Sequence, residues 1–294
     1  MIDHKSLSSR IFNIFNLSFL VIVTLLCLVP LWYILMVSVS EKAAVNAGIV
    51  TFWPIGFNLI SYQKIIGEAA FFISFWTSIK RVVLGAVIGV GTVLLMAYPL
   101  SKTPKQLPHR NAYMWILVFC MLFSGGTVPW YLTIRSYGLI DSIWALVLAG
   151  GLPVFNVILV VNFFRNIASA FEEAAYVDGA GPWRTFLQIY LPISGPVIAT
   201  VSLFTIVGHW NEFFQGLVLN TKQINYPLQT YIQQLVVSVD LSRMNSEEVK
   251  LATQLNNKSL NAAKIFIAMV PVLMIYPFLQ RYFITGITLG SVKE

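Results

Sequence analysis

Charged side chains are scarce in this chain, and the shortage limits the kind of protein it can be. Asp, Glu, Lys and Arg make up 11% of the 294 residues, whereas hydrophobic residues make up 57%. A soluble globular domain carries roughly a quarter charged residues. The composition therefore excludes an ordinary soluble domain and indicates a protein embedded in a membrane.

Motifs for catalysis and nucleotide binding are also missing. The chain has no GxxxxGK[ST] segment, so it cannot hold ATP in a phosphate-binding loop of that kind, and it has no GxSxG or HExxH segment. His209 and Glu212 share one helix face, but a third metal ligand is absent, so an interhelical hydrogen bond is the favoured interpretation. We predict no catalytic centre and no metal or cofactor bound by this chain.

Cysteine is nearly absent, and positive charge is not concentrated anywhere. Cys27 and Cys120 both lie inside apolar runs without CxxC spacing, which indicates small core residues and allows no inference about redox chemistry. The net charge is +7, but the lysines and arginines are scattered and no recognition motif accompanies them. We therefore predict no nucleic-acid partner and assign these residues to membrane topology.

Long apolar runs are what the sequence has in abundance. A membrane-spanning helix needs ~20 mostly apolar residues. Six segments qualify: 17–39, 80–100, 112–133, 142–163, 193–219 and 263–284. The first run is too long for the apolar part of a signal peptide, so it is interpreted as a retained helix. The predicted fold is an all-α membrane protein with six transmembrane helices.

Short loops set the predicted orientation. Residues 101–111 contain Lys102, Lys105 and Arg110, whereas residues 134–141 contain a single basic residue, and positive loops favour the cytoplasm. Both chain ends and the loop between the fourth and fifth spans are then cytoplasmic. The predicted organisation is a cytoplasmic segment 1–16 (with a short surface helix over 5–16), a transmembrane domain 17–284, external loops 40–79 and 220–262, and a cytoplasmic tail 285–294.

The polar segment between the fourth and fifth spans, residues 165–192, carries the most informative pattern. Ser169 and Glu172 have capping-box spacing, which predicts that a short helix begins there. Gly179 and Gly181 end that helix, and Pro182 suits the first turn of a second one. The segment is therefore predicted to be a rigid bent hairpin on the cytoplasmic side, thin enough at its alanines for another protein to approach.

This hairpin resembles the EAA loop in the membrane subunits of bacterial binding-protein-dependent ABC importers. The residues that fit the pattern, without insertion or gap, are Glu173, Ala174, Ala175, Gly179, Ile189, Leu191 and Pro192. The resemblance covers most of the chain and is closest to the carbohydrate-uptake branch, the maltose-type permease subunits. Trp210-Asn211-Glu212-Phe213 and the segment from Gln280 to Gly286 also look like that branch.

The resemblance implies a non-catalytic permease subunit of the bacterial cytoplasmic (inner) membrane. Its expected partners are a homologous second permease, two ATPase subunits that bind ATP and Mg, an extracytoplasmic solute-binding protein, membrane lipid and an oligosaccharide substrate. The residues expected to couple to the ATPase are Glu172, Glu173, Ala174, Ala175, Asp178, Gly179, Gly181, Ile189, Leu191 and Pro192. The tail residues Gly286, Gly290 and Lys293 are expected to contact the ATPase dimer, the alternative being a frayed terminus.

Candidate residues of a substrate path occur in three places. Trp210, Asn211 and Glu212 lie in the outer half of the fifth span, where they form either a gate or wall of the path or a hydrogen bond between packed helices. In the third span, Trp130 and Tyr131 follow a break at Gly125-Gly126. They either stack on sugar faces or belong to an interfacial aromatic belt.

The second span contributes the remaining candidates. Lys80 and Arg81 stand at its predicted start and are assigned either to the headgroup level or to a wet interior. Gly85, Gly89 and Gly91 follow on the same span, and small residues at such positions predict close helix packing.

The outer positions carry more basic than acidic residues, which suggests an acidic substrate. The basic residues are Lys42, Lys64, Lys80, Arg81, Arg135, Lys222, Arg243, Lys250, Lys258 and Lys264, and the acidic ones are Glu41, Glu68, Asp141, Asp240, Glu247 and Glu248. A basic vestibule favours an anionic sugar chain, such as a uronate chain of the alginate or pectin kind. If these charges contact the binding protein or lipid instead, a neutral oligosaccharide is the alternative.

Two other classes of protein are the alternatives to a permease subunit. A membrane-embedded enzyme needs clustered ionisable residues within the spans, and the sequence supplies little beyond Glu212. A secondary transporter usually has inverted repeats and carboxylates near the membrane midplane, and neither is apparent here.

Overall fold

Helices are the only regular elements in residues 7–236 and 258–291, which are the residues that this computed structural model describes. The elements in chain order are α1 (Leu7–Ser38), α2 (Lys42–Asn46), α3 (Ile60–Ile66), α4 (Ala69–Ser101), α5 (Arg110–Leu122), α6 (Thr127–Ser136), α7 (Ile143–Leu148), α8 (Val154–Arg165), α9 (Ser169–Val177), α10 (Pro182–Thr185), a π-helix (Phe186–Tyr190), α11 (Leu191–Ile193), α12 (Gly195–Asn211), α13 (Phe214–Leu219), a 3₁₀-helix (Gln223–Asn225), α14 (Leu228–Val236) and α15 (Lys258–Ser291). The predicted all-α fold is therefore confirmed for this part of the chain.

Three of these helices are long and apolar enough to cross a membrane: α1, α4 and the part of α15 up to Pro277. Three pairs of shorter helices also qualify, although each pair is sharply bent. The bend is 112° between α5 and α6, 73° between α8 and α9, and 81° between the α10–α11 stretch and α12. The described residues thus contain three spans, or up to six if each bent pair is counted as one.

Two helices begin well before the predicted spans. α1 starts at Leu7 and continues unbroken through the predicted start at 17, so the separate surface helix predicted for 5–16 is wrong from Leu7 onward. α4 starts at Ala69, and the predicted start at 80 is likewise wrong. Neither stretch contains glycine or proline before the apolar run, so nothing in the local sequence stops the helix.

Two of the predicted spans are interrupted rather than continuous. Between α7 and α8, within the predicted span 142–163, Gly151 has a left-handed backbone with φ of +63°, and Pro153 follows. Within the predicted span 193–219, Glu212 has an extended backbone between α12 and α13. The break predicted at Gly125-Gly126 is present, and Gly126 has a φ of +87°.

The last helix passes the predicted end of the sixth span. α15 contains Gly286 and Gly290, which the sequence analysis assigned to a tail after residue 284. Lys293, the third tail residue, lies outside the described residues.

The chain forms two compact units, and the described residues up to Ala69 and from Gln234 to Val270 make up the first. Its core is formed by Met36, Val37, Ala44, Val45, Val50 and Ala262. An ion pair of 2.7 Å joins the buried Lys264 ammonium to the Glu68 carboxylate. Both residues entered the count of outer charges, and they neutralise each other.

The second unit contains residues 70–233 and the described residues from Pro271 onward. Its main core is supplied by α4, α5, α8, the π-helix and α12: Val93, Leu94, Ala97, Leu100, Leu117, Val154, Val157, Val160, Val161, Phe164, Phe186, Tyr190, Val197 and Val201. The predicted hairpin and the predicted path residues of the third and fifth spans all lie in this unit.

Within this unit, α4 approaches α12 closely at two of the three predicted glycines. A Cβ added at Gly85 would overlap the His209 imidazole, and one added at Gly89 would lie 3.3 Å from Cγ2 of Thr205. The prediction of close packing is therefore confirmed for these two. It is wrong for Gly91, where a Cβ would meet nothing within 4 Å.

Gly85→Ala is expected to lower the stability of the protein by about 1–3 kcal/mol, because the added methyl group overpacks against His209. Gly91→Ala is the matched control and should be neutral or stabilising by about 0.5–1 kcal/mol, since it only raises helix propensity. Thermal unfolding of the purified variants measures both effects. If Gly85→Ala melted like Gly91→Ala, the close approach at Gly85 would be disproved.

Candidate functional site

The hairpin predicted between the fourth and fifth spans consists of α9, a four-residue connection and α10. The amide of Gly179 donates to the carbonyl of Tyr176 (3.1 Å) and the amide of Ala180 to that of Ala175 (2.8 Å), which closes the end of α9. Gly179 has a φ of +73°, a left-handed conformation that favours glycine. Gly181, by contrast, has a φ of −74° that any residue adopts.

One side of the hairpin is exposed and partly apolar. We define the hairpin surface as Glu173, Ala174, Val177, Asp178 and Trp183, all of which are exposed, Val177 to 88% and Trp183 to 67%. Large apolar side chains that are exposed among polar ones are a feature of protein–protein contacts. The surface therefore has the character of a docking site.

Other predicted coupling residues face the interior of the unit. Ala175 is buried, and Ile189 and Leu191 pack against the main core. Their side chains hold the hairpin to the helices behind it. Pro192 is exposed and starts the turn that leads into α12.

The predicted capping box is wrong, because Glu172 uses its carboxylate elsewhere. α9 begins at Ser169 as predicted, but its cap residue is Ala168, without a side-chain cap. Oε2 of Glu172 accepts hydrogen bonds from Nζ of Lys102 (2.7 Å) and from the hydroxyl of Tyr190 (2.6 Å). Oε1 accepts one from the hydroxyl of Tyr176 at 2.9 Å.

The Lys102 ammonium is held between two aromatic rings as well as by Glu172. It lies 4.3 Å from the ring centroid of Tyr98 and 4.3 Å from that of Tyr190. Burial raises the pKa of the Glu172 carboxyl, but the hydrogen bonds from Lys102, Tyr190 and Tyr176 outweigh this and lower the pKa overall. Glu172 lies outside the predicted spans. Because its pKa is lowered, its carboxyl group is ionised at neutral pH.

A cavity of about 600 Å³ is lined mainly by α4, α12 and the segment around Gly151. Its lining residues come from α4 and α12, from α7, α8 and α13, and from the breaks that follow α7 and α12: Arg81, Gly85, Ile88, Gly89, Thr92, Met96, Val147, Leu148, Gly150, Gly151, Leu152, Pro153, Asn156, Phe204, Thr205, Gly208, His209, Glu212 and Gln215. Its size fits a small ligand, and its amide, hydroxyl and charged groups suit a polar one.

Arg81 is buried and stabilises the break after α12. One terminal nitrogen donates to the backbone carbonyl of Glu212 at 3.0 Å, and the other donates to the side-chain oxygen of Gln215. The side chain is 1% exposed, and its Nε has no partner among the described residues. Oε1 of Glu212 accepts from the amide of Gln215 at 3.0 Å.

Only Arg81 and Glu212 of the predicted path residues line this cavity. Trp210 is buried and packs edge-on against Phe75, while Asn211 and Lys80 are exposed away from the lining.

The two aromatic residues of the third span also lie elsewhere. The indole N–H of Trp130 donates to the carbonyl of Ala149 at 2.9 Å, and its ring stacks on Phe214. Trp130 and Tyr131 both pack against a small core formed by Ile134, Ala145, Ala149 and Leu219. Both side chains therefore have a packing role in this structure.

The polar lining residues Thr92, Asn156, Thr205 and Gln215 are not among the residues predicted from the sequence. The one available signal was the glycine pair Gly85 and Gly89, which marks the face of α4 that turns toward α12. Among the described residues, no group of three His, Cys, Asp or Glu side chains could hold a metal.

A second unpredicted feature joins two connecting segments through Asp141. Its carboxylate accepts hydrogen bonds from the amide and hydroxyl of Thr221, the amide of Lys222 and the side chain of Asn225. The bond from the Thr221 hydroxyl, together with the others, lowers the pKa of Asp141 below its ordinary value. The link therefore holds at neutral pH and weakens only as the pH falls through this lowered pKa.

Residues 111–289 match the protein family described as binding-protein-dependent transport system inner membrane component, and the chain belongs to this family. It is 36% identical to Protein LplC of Bacillus subtilis (strain 168), over 99% of this chain and 97% of that protein. It is 34% identical to the polygalacturonan/rhamnogalacturonan transport system permease protein YtcP of the same organism, over 98% of this chain and all of that protein.

A solved structure resembles the whole chain. It is the crystal structure of a bacterial ABC transporter involved in the import of the acidic polysaccharide alginate. The TM-score is 0.83 at 32% identity, with 95% of this chain and 98% of that chain covered. The family resemblance found in the EAA segment is therefore confirmed, and so are a multi-pass inner-membrane protein and a permease component that is not a catalytic subunit.

Asp141→Asn keeps the shape of the side chain and tolerates its left-handed backbone (φ of +61°), but it removes the charge. Hydrogen–deuterium exchange at the Thr221 and Lys222 amides should rise several-fold at neutral pH, because an amide oxygen is a weaker acceptor than a carboxylate. The wild type should show the same rise only in acid, below the ordinary carboxyl pKa of about 3.9. Equal protection in both proteins at neutral pH would disprove the role of the charge.

Proposed function

We propose that this chain is a transmembrane subunit of an ATP-driven importer that carries an acidic oligosaccharide delivered by a solute-binding protein. The observation that carries the proposal is the hairpin surface, an exposed docking site between apolar helices in a chain of this family. The chain lacks a phosphate-binding loop of its own, so energy would have to come from a separate protein bound at this surface.

The proposed assembly contains this chain, a homologous second permease, two ATPase subunits and the solute-binding protein. ATP and Mg bind in the ATPase subunits. Both ends of this chain and the hairpin are cytoplasmic, in line with the basic loop 101–111. Gly286, Gly290 and Lys293 then lie on the ATPase side of the membrane, where a contact with the ATPase dimer is proposed.

The proposed mechanism is alternating access. When ATP closes the ATPase dimer, the subunit bound to the hairpin surface moves with it and displaces α9. Because α9 is connected to helices that line the cavity, that displacement changes which side of the membrane the cavity opens to.

The proposed substrate is a uronate-containing oligosaccharide. The amide and hydroxyl groups of the cavity suit sugar hydroxyls, and its cation, Arg81, is held by two neutral acceptors. Two similar proteins are named for polymers that carry carboxylates, polygalacturonan and alginate. The charge count of the outer positions gives less support than the sequence suggested, because Lys264 pairs with Glu68.

A neutral oligosaccharide is the second candidate, and one observation favours it. Glu212 lines the cavity together with Arg81, so the formal charges of the lining residues are balanced when His209 is neutral. A carboxylate of the cavity repels an anionic sugar but accepts hydrogen bonds from hydroxyl groups of a neutral one.

Gly179→Val tests the hairpin surface. A β-branched residue at a positive φ costs at least about 1–2 kcal/mol, so the connection between α9 and α10 should distort and the ATPase should dock poorly. Copurification of the ATPase and uptake should both fall about tenfold or more. Gly181→Ala is the matched control, because its backbone is ordinary and a Cβ there meets nothing within 4 Å. Normal uptake by Gly179→Val would contradict the proposal.

Competition in an uptake assay tests the substrate class. Oligogalacturonate or oligoalginate should inhibit uptake of a labelled uronate oligosaccharide at concentrations at least tenfold below those of a neutral oligosaccharide of equal length, because only the acidic chains supply carboxylates. Equal competition by both would replace the acidic substrate with a neutral one and leave the ATP-driven mechanism untouched.

A further inference from the structure

The three hydrogen-bond donors around Glu172 come from three parts of the second unit. Tyr176 is one turn further along α9, Lys102 directly follows α4, and Tyr190 is the last residue of the π-helix. The carboxylate of Glu172 therefore joins α9 to the end of α4 and to the segment that continues into α12. We call Glu172, Lys102 and Tyr190 the clamp.

The clamp is partly enclosed by aromatic rings. The side chains of Lys102 and Glu172 are 11% and 13% exposed, and Tyr190 is buried in the main core. The Tyr190 ring packs edge-on against Tyr98 of α4 at 5.0 Å and against Phe164 of α8 at 5.3 Å. Loss of one charged partner would leave the other poorly solvated, so the pair acts as a unit.

α9 has little else to hold it in place. Ala175 is its one buried residue, and an isolated helix shorter than about 12–15 residues is marginal in water. A helix of nine residues with so small a buried area depends on specific anchors. The clamp supplies two such anchors, Lys102 at the end of α4 and Tyr190 at the end of the π-helix.

The two segments that the clamp joins lead into α4 and α12, two helices that both line the cavity. α4 supplies Arg81, Gly85, Ile88, Gly89, Thr92 and Met96, and α12 supplies Phe204, Thr205, Gly208 and His209. The clamp is located at the Ser101 end of α4 and at the entry to α12, away from the cavity itself. A displacement of α9 is therefore passed to both helices at once.

We propose that Glu172 is a positioning residue for energy coupling, which fastens α9 to α4 and to the π-helix and does not itself contact the ATPase. The inference deepens the proposed function and rests on it. It gives two adjacent glutamates different tasks: Glu173 is exposed on the hairpin surface and faces the partner, whereas Glu172 faces inward and transmits the movement to the cavity walls.

The experiment uses the complete transporter in liposomes and a readout that needs no substrate. Cys27 and Cys120 are replaced by alanine, and Thr92, an exposed residue of the cavity, is replaced by cysteine as a probe. The rate of its reaction with a polar maleimide is measured with and without a non-hydrolysable ATP analogue. Copurification of the ATPase is measured in parallel.

In the probe background, the ATP analogue should change the maleimide rate at least fivefold. Glu172→Gln and Lys102→Met should each reduce that change to less than twofold, while the ATPase copurifies within a factor of two of the background level. Tyr190→Phe, which removes one hydroxyl, should have an intermediate effect. The double variant Lys102→Met/Glu172→Gln should be no worse than either single variant, since both remove the same interaction.

Glu173→Gln is the matched control, and it should lower copurification of the ATPase. A full response to the ATP analogue in Glu172→Gln would overturn the inference, as would a loss of ATPase binding as large as that of Glu173→Gln. If Glu172→Gln and Lys102→Met fail to assemble, Tyr190→Phe decides, and an unchanged response there also overturns it. No response in the probe background itself would refute the proposed function instead.

Discussion

A charged group buried near the apolar helices needs a partner supplied by the protein, and this constraint organises the described part of the structure. Water is scarce there, so an unpaired charge is costly. Lys102 is paired with Glu172, Lys264 is paired with Glu68, and Arg81 donates to a backbone carbonyl and a side-chain amide. Each of these contacts joins segments that are far apart in the sequence. The few charges of the chain therefore determine how its helices are connected.

The same constraint explains how the broken helices are stabilised. A break exposes backbone carbonyls that an intact helix would use internally. After α12, the backbone carbonyl of Glu212 accepts a hydrogen bond from Arg81. The carboxylate of Glu212 accepts a hydrogen bond from the backbone amide of Gln215. The break in turn places polar groups beside the cavity, where a continuous apolar helix would offer none. The break after α12 thus both interrupts the helix and supplies polar groups to the cavity lining.

Local signals made part of this structure predictable. Gly179 and Pro182 set the turn of the hairpin through their own backbone preferences, so the end of α9 and the start of α10 follow from neighbouring residues. The break after α7 also has local signals in Gly151 and Pro153. Both residues lie inside an apolar run, which by itself predicts a continuous span over 142–163. The break at Glu212 has no such signal, because its stabilising donor is 131 residues away in the sequence. The partner of Glu172 is 70 residues away, and a capping box offered a plausible but incorrect local explanation.

The small buried area of α9 has a consequence for how such a chain changes over time. Substitutions at exposed positions usually alter stability by no more than about 0.5 kcal/mol. Glu173, Val177 and Asp178 can therefore be exchanged with little effect on folding, whereas the buried Ala175 cannot. Under the proposed assembly, the outer side of α9 is free to adapt to a different ATPase, while its inner side preserves the same linkage to the neighbouring helices. A change of ATPase would then require substitutions at only a few surface residues of this chain.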